Sequence, residues 1–196
     1  MMPSAASTRN SKVIKAPREA LYRAFIDPAA LLAWLPPGEM SGEVYSFDAR
    51  VGGGYRMSLF YPLSEQLLRG KTSEREDNFT SRFVELDPPN RIVQAVTFNS
   101  THPIFAGEMT MSAIFEVEDG GTKVTVVCEH IPPGIRPEDN EAGCRSSLEK
   151  LARYISSGKW WVQFSRSQKL KVPDYRFWGI PFLHHFCYKW VIASGD

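Results

Sequence analysis

The stretch PEDNEAGCRSSLEKLARYI, Pro137–Ile155, decides how the rest of the chain must fold. Its apolar positions Cys144, Leu148, Leu151, Ala152 and Ile155 recur at a period that lines one stripe of a 3.6-residue helix. Such a stripe must be buried. The opposite side carries Arg145, Glu149 and Arg153 at i, i+4 spacing, with Glu149 ahead of Arg153 in the favourable orientation, and faces water. Pro137 suits the first helical position, where its missing N–H has no partner to lose. Glu138, Asp139 and Glu141 place negative charge at the positive end of the helix dipole, Lys150 and Arg153 place positive charge at the other, and Gly158 can close the helix. At about 1.5 Å per residue the helix is roughly 30 Å long, enough to cross a small domain. Gly143 costs about 1 kcal/mol against alanine in a helix. That position therefore reads as one that needs room, for close helix-to-strand packing or for a ligand.

Everything upstream reads as a sheet for this helix to cover. Lys12 to Ala16 is a short β-prone run, followed by a helix over PREALYRAF in which Leu21, Ala24 and Phe25 share a side. Asp27-Pro28 repeats the start signal, giving a second short helix with Leu31, Leu32 and Trp34 before Pro36-Pro37-Gly38 stops it. From Ser41 to His130 six β-segments pair as hairpins: 42–48 with 55–61 across Val51-Gly52-Gly53-Gly54, 79–86 with 91–98 across Asp87-Pro88-Pro89-Asn90, and 108–118 with 122–130 across Asp119-Gly120-Gly121. The polar stretch between Pro62 and Asn78 is expected as a mobile loop. Alternation puts Tyr55, Met57, Leu59 and Tyr61 on one face of their strand, Met109, Met111, Ala113, Phe115 and Val117 on one face of theirs, and Val124, Val126 and Cys128 on another.

The chain has 196 residues, 43% of them hydrophobic, which is enough for a real core in one domain with an appendage. A net charge of +1 and the lack of a basic patch interleaved with aromatics in the first three quarters argue against a nucleic-acid partner. The three cysteines, Cys128, Cys144 and Cys187, are widely spaced and form no ligand motif, which disfavours a disulfide scaffold or a zinc site and fits a reducing cytoplasm. Residues 1–11 read as a disordered lead-in, and no apolar run is long enough to span a bilayer.

This order of elements, with APREALYRAF (16–25), Trp34-Leu35-Pro36, FDARVGGGYRMSL (47–59), SRFVELDPPNRIV (81–93) and EAGCRSSLEKLARYI (141–155), resembles the SRPBCC or START-like superfamily, which has the helix-grip fold of the birch pollen allergen. Within it the chain is most similar to bacterial proteins related to the carboxy-terminal domain of the activator of the heat-shock protein 90 ATPase. The resemblance spans residues 12–155. It implies an α+β domain over 12–157, in which a curved antiparallel sheet of six to seven strands wraps around the long C-terminal helix, with two short helices after strand 1. It also implies a cavity between helix and sheet for a small apolar or aromatic molecule, and suggests a chaperone as a surface partner. No reaction follows from it, because the fold serves carriers, receptors and cyclases alike. Relatives usually carry a large residue at the position of Cys144, commonly tryptophan, so the small thiol leaves more room at the roof.

On this view the cavity candidates are Trp34, Tyr55, Met57, Leu59, Phe83, Phe98, Met109, Met111, Phe115, Cys144 and Leu148. Met57, Met109 and Met111 suit either an adaptable pocket or ordinary core, and Trp34 and Tyr55 either stack on a ligand or close the sheet ends. Cys144 reads as an inert small hydrophobe. No catalytic residue, metal ligand or cofactor motif is assigned. A cyclase-like or hydrolase-like enzyme is the alternative, with His130, His102 or a rim carboxylate moving a proton, although a lone histidine at a strand end is more often a hydrogen-bonded rim residue. VGGGYR does not lie between a strand and a helix and reads as a hairpin, not a phosphate loop.

After the helix the composition changes. Ten of the 24 aromatic residues fall in 158–196, which carries six basic and two acidic residues. This tail is expected as an appendage of uncertain order, dispensable for folding, and as a candidate homo-oligomer contact.

Overall fold

The computed structural model describes residues 6–64 and 70–158; the expectations for the tail beyond Gly158 lie outside them. The order is β1 (Ala6–Ile14), α1 (Arg18–Phe25), α2 (Pro28–Trp34), β2 (Ser41–Phe47), β3 (Gly54–Phe60), β4 (Glu76–Asp87), β5 (Arg91–Phe98), a 3-10 turn at Pro103–Phe105, β6 (Met109–Glu118), β7 (Gly121–Ile131) and α3 (Pro137–Ser156). The seven strands form one antiparallel, curved, open sheet in the order β1-β7-β6-β5-β4-β3-β2. This is the expected α+β helix-grip architecture. Register shifts between Ala6 and Thr8, Val44 and Ser46, and Phe83 and Glu85 insert bulges that bend their strands.

The local signals explain the helices. Asp27 caps α2 by accepting from Ala30 N at 2.8 Å, and Pro28 stands at its first turn. Pro137 opens α3, and Gly158 (φ +69) follows it, its N–H donating to Ile155 O at 3.1 Å. The buried stripe of α3 is Ser147, Leu148, Leu151 and Ile155, while Cys144 and Ala152 are half-buried. Arg145, Glu149 and Arg153 are exposed, as their spacing requires. Glu149 reaches across to Lys12 Nζ of β1 at 2.7 Å. Ser147 Oγ donates to Leu35 O at 2.6 Å and Gly38 N donates to Ser146 Oγ at 2.8 Å, so two serines fasten α3 to the exit of α2.

Several sequence expectations are corrected. The lead-in does not persist to residue 11: β1 begins at Ala6 and pairs with β7 from Ala6–Ile131 to Ile14–Thr122. Its ASTRNSK sequence shows no hydrophobic alternation because the strand is held mainly by the backbone ladder at a sheet edge. The loop after Pro62 ends earlier than expected, since β4 starts at Glu76. Val117 lies at the end of β6, beyond the cover of the helices, and is exposed. At Gly143 a Cβ would meet no heavy atom of the described residues within 4 Å, so close packing is not the reason for glycine there. A close backbone approach does occur at Gly54, where a Cβ would collide with Ser81 O.

Candidate functional site

Cross-strand register assembles the concave face of the sheet row by row. One row runs Met57, Phe79, Phe98; the next runs Tyr55, Ser81, Val96, Met109; a third runs Phe83, Gln94, Met111, Cys128, Thr8. The first two rows are almost wholly apolar or aromatic. Met57, Phe79, Phe83, Val96 and Met109 are buried, whereas Leu59, Phe98 and Met111 stay half-buried although they share the concave face. The rings pack around Tyr55, with Phe47 stacked at 5.8 Å, Phe83 at 6.0 Å and Phe79 at 6.2 Å between centroids.

Into this apolar surface the chain places three polar side chains. Tyr55 Oη donates to Gln94 Oε1 at 3.1 Å and Ser81 Oγ donates to the same oxygen at 2.8 Å. Gln94 and Ser81 are each 1% exposed and Tyr55 2%. Both lone pairs of the Gln94 carbonyl are thereby used. Burial pushes the Tyr55 hydroxyl up to about 12, against a smaller opposing effect of the Ser81 hydroxyl beside it. The phenol therefore stays a donor across the physiological range. The arrangement can orient a polar group and is poorly suited to moving protons.

The other sequence candidates fall elsewhere. Trp34 donates Nε1–H to Ala24 O at 2.8 Å and packs on Phe25 at 4.5 Å, while Phe115 meets Phe25 at 5.2 Å and Tyr22 at 5.8 Å. These two residues lock α1 and α2 onto β6 and are core. Leu148 is buried under α3, and Cys144 lies above Cys128, Sγ to Sγ 3.9 Å. His102 and His130 are exposed. His102 Nδ1 accepts from Ile104 N at 3.3 Å, capping the 3-10 turn, and His130 takes a left-handed φ of 58° that returns Ile131 to the core.

Gln94 and Ser81 were missed, as was Phe79. The signal was present: in Phe79-Thr80-Ser81-Arg82-Phe83 and in Ile92-Val93-Gln94-Ala95-Val96 the polar residue shares its face with flanking apolar ones, so each sequence places a polar side chain inward. At the far end of the face, Asp77, 3% exposed, binds Lys71 Nζ and Lys71 N and receives the Tyr61 hydroxyl at 3.1 Å. Among the described residues no cluster of three or more His, Cys, Asp or Glu can hold a metal ion, and no helix is long and apolar enough to cross a membrane.

A protein from Chromobacterium violaceum, solved by X-ray crystallography, is 34% identical, with a TM-score of 0.68 over 79% of this chain and 98% of that one. Two others share the fold: one from Rhodobacter sphaeroides (19% identity, TM-score 0.63, covering 80% and 96%) and one from Aeromonas hydrophila described as AHSA1-like (18%, 0.60, 79% and 95%). No curated protein matches by sequence. The family model "Activator of Hsp90 ATPase homolog 1-like protein" matches residues 15–156, from the end of β1 to the last turn of α3. The chain therefore belongs to the Activator of Hsp90 ATPase homolog 1-like family.

Proposed function

We propose that this chain binds a small, mostly apolar molecule carrying one hydrogen-bond acceptor. The ligand lies against Leu59, Phe98 and Met111 and directs its acceptor to the amide N–H of Gln94. The observation that carries this reading is the buried Tyr55–Gln94–Ser81 cluster set within an apolar, methionine-rich face. A purely structural core gains little from three desolvated polar groups, whereas sites for small molecules typically combine apolar walls with a few fixed polar ones. Methionine adds adaptability, because its unbranched side chain fits more than one shape. Binding, not catalysis, is the reading favoured, since Tyr55 stays protonated and both histidines of the enzyme alternative are exposed.

The test uses 1-anilinonaphthalene-8-sulfonate as the apolar probe, titrated by fluorescence into the full chain and into Met111→Trp. Filling the face at Met111 is expected to weaken saturable probe binding about tenfold, or about 1.4 kcal/mol, with the thermal midpoint little changed. Equal affinity in both proteins, or no saturable binding to the wild type, would remove the proposal.

A further inference from the structure

Cys128 and Cys144, 16 residues apart in sequence, face each other from β7 and α3 with their sulfurs 3.9 Å apart. Both are free thiols. Cys128 is 1% exposed, while Cys144 is half-buried. Around them Thr8 Oγ1 donates to Asn140 Oδ1 at 2.6 Å, and Cys144 Sγ lies 3.8 Å from the same oxygen. A disulfide requires about 2.0 Å between sulfurs, so roughly 1.9 Å must be closed.

We propose that Cys128 and Cys144 are a reversible disulfide site, oxidised by hydroperoxides, that tethers the first half of α3 to β7. The more accessible Cys144 reacts first. Its sulfur attacks the O–O bond, an S–O bond forms, the O–O bond breaks, and the departing alkoxide or hydroxide takes up a proton. Cys128 then attacks the sulfenic sulfur; the S–S bond forms, the S–O bond breaks, and hydroxide leaves to become water. Two thiols lose two electrons and two protons, and the hydroperoxide is reduced to an alcohol, or water, plus a second water.

The thiol pair divides the work unequally. The hydrogen bond from Cys144 lowers the Cys128 thiol against the opposing effect of its burial, which suits the buried sulfur to resolve the sulfenic acid. The same hydrogen bond, followed by burial and the neighbouring sulfur charge, raises the Cys144 thiol, so its proton leaves as the S–O bond forms and is taken up by the departing alkoxide or hydroxide. The tether has a defined place in the molecule. Cys128 stands in the row Phe83, Gln94, Met111, Cys128, so it fixes the helix over the same row that carries the glutamine.

The experiment treats the reduced full chain, alongside Cys187→Ser and Cys144→Ser, with hydrogen peroxide for an hour. Each is then mapped by mass spectrometry under non-reducing conditions. Wild type and Cys187→Ser are expected to yield a cross-linked peptide joining Cys128 and Cys144 that dithiothreitol releases, and Cys144→Ser none. Oxidised Cys187→Ser is expected to melt roughly 5–10 °C higher than its reduced form. Sulfinic acid without a cross-link, unreacted thiols, cross-links made only through Cys187, or a cross-link that lowers the midpoint would each overturn the proposal.

Discussion

Replacing Gln94 by leucine tests whether the face between β3 and β6 is dry. Leucine is close in size but cannot accept, so the hydroxyls of Tyr55 and Ser81, now bonded to Gln94 Oε1 at 3.1 and 2.8 Å, lose their partner together. Each buried, unsatisfied hydroxyl costs about 1–3 kcal/mol, which sets the expected destabilisation of Gln94→Leu at about 2–6 kcal/mol. The triple variant Tyr55→Phe, Ser81→Ala, Gln94→Leu removes donors and acceptor together and is expected to lie within about 1.5 kcal/mol of the wild type, because no group is left stranded. The assay is equilibrium unfolding in urea. With a slope of about 2 kcal/mol per M, the single variant moves the midpoint by about 1–3 M, and an unchanged slope shows that the folded surface is the same. A loss below about 1 kcal/mol for Gln94→Leu would mean that water reaches the hydroxyls, and the dry cluster would have to be abandoned. A triple variant more than about 1.5 kcal/mol less stable than the wild type would show instead that the cluster is a net stabiliser and not a feature kept for binding.

Gly143→Ala is expected to stabilise the domain by about 1 kcal/mol in the same urea assay, since the position is helical and no described atom lies within 4 Å of a Cβ there. A loss of stability would place an unrecognised neighbour against α3. Tyr55 ionises near 10 when unfolded and near 12 when folded, so its contribution is fully present below pH 10 and is lost as pH rises through 12. Two pKa units correspond to about 2–3 kcal/mol, and Tyr55→Phe should flatten the fall in stability between those pH values. Unfolding titrations with equal slopes for both proteins would show that the phenol is not buried. A chain ending at Gly158 is expected to keep its thermal midpoint within a few degrees, because the ladder and the α3 stripe are complete by then. A drop of about 10 °C or more would make the tail part of the core.

The helices were legible because their signals are local: Asp27-Pro28, Pro137 and Gly158 mark ends wherever they occur, and the 148, 151, 155 spacing fixes the buried side of α3. Hairpins were legible for the same reason. What escaped depends on distant partners. Nothing in ASTRNSK states that β7 will lie beside it, and nothing in Ser147 states that Leu35 O will accept its hydroxyl. The candidate site was half legible. Alternation assigned the methionines to their faces, but the methionine and aromatic content drew attention away from Ser81 and Gln94, whose importance lies in their apolar neighbours. Cys128 and Cys144 looked unrelated because sequence separation carries no information about which strand a helix will cross.

The antiparallel pairing of β1 with β7 has a consequence for how the chain folds. The hairpins of β2 to β6 join strands that follow one another, whereas β1 must wait for β7, whose Cys128 pairs with Thr8. Closing so long a loop is entropically costly and comes late in folding. Throughout synthesis β1 is therefore an unpaired strand on a growing chain, the circumstance in which an apolar sequence would seek another molecule's sheet edge. Its serines, threonine, arginine, asparagine and lysine make it a poor nucleus for such association. Pulse-labelled hydrogen exchange during refolding is expected to find the amides of β1 protected after those of β3 to β5; simultaneous protection would mean that the two ends of the chain meet early, and that the polar edge serves some other purpose.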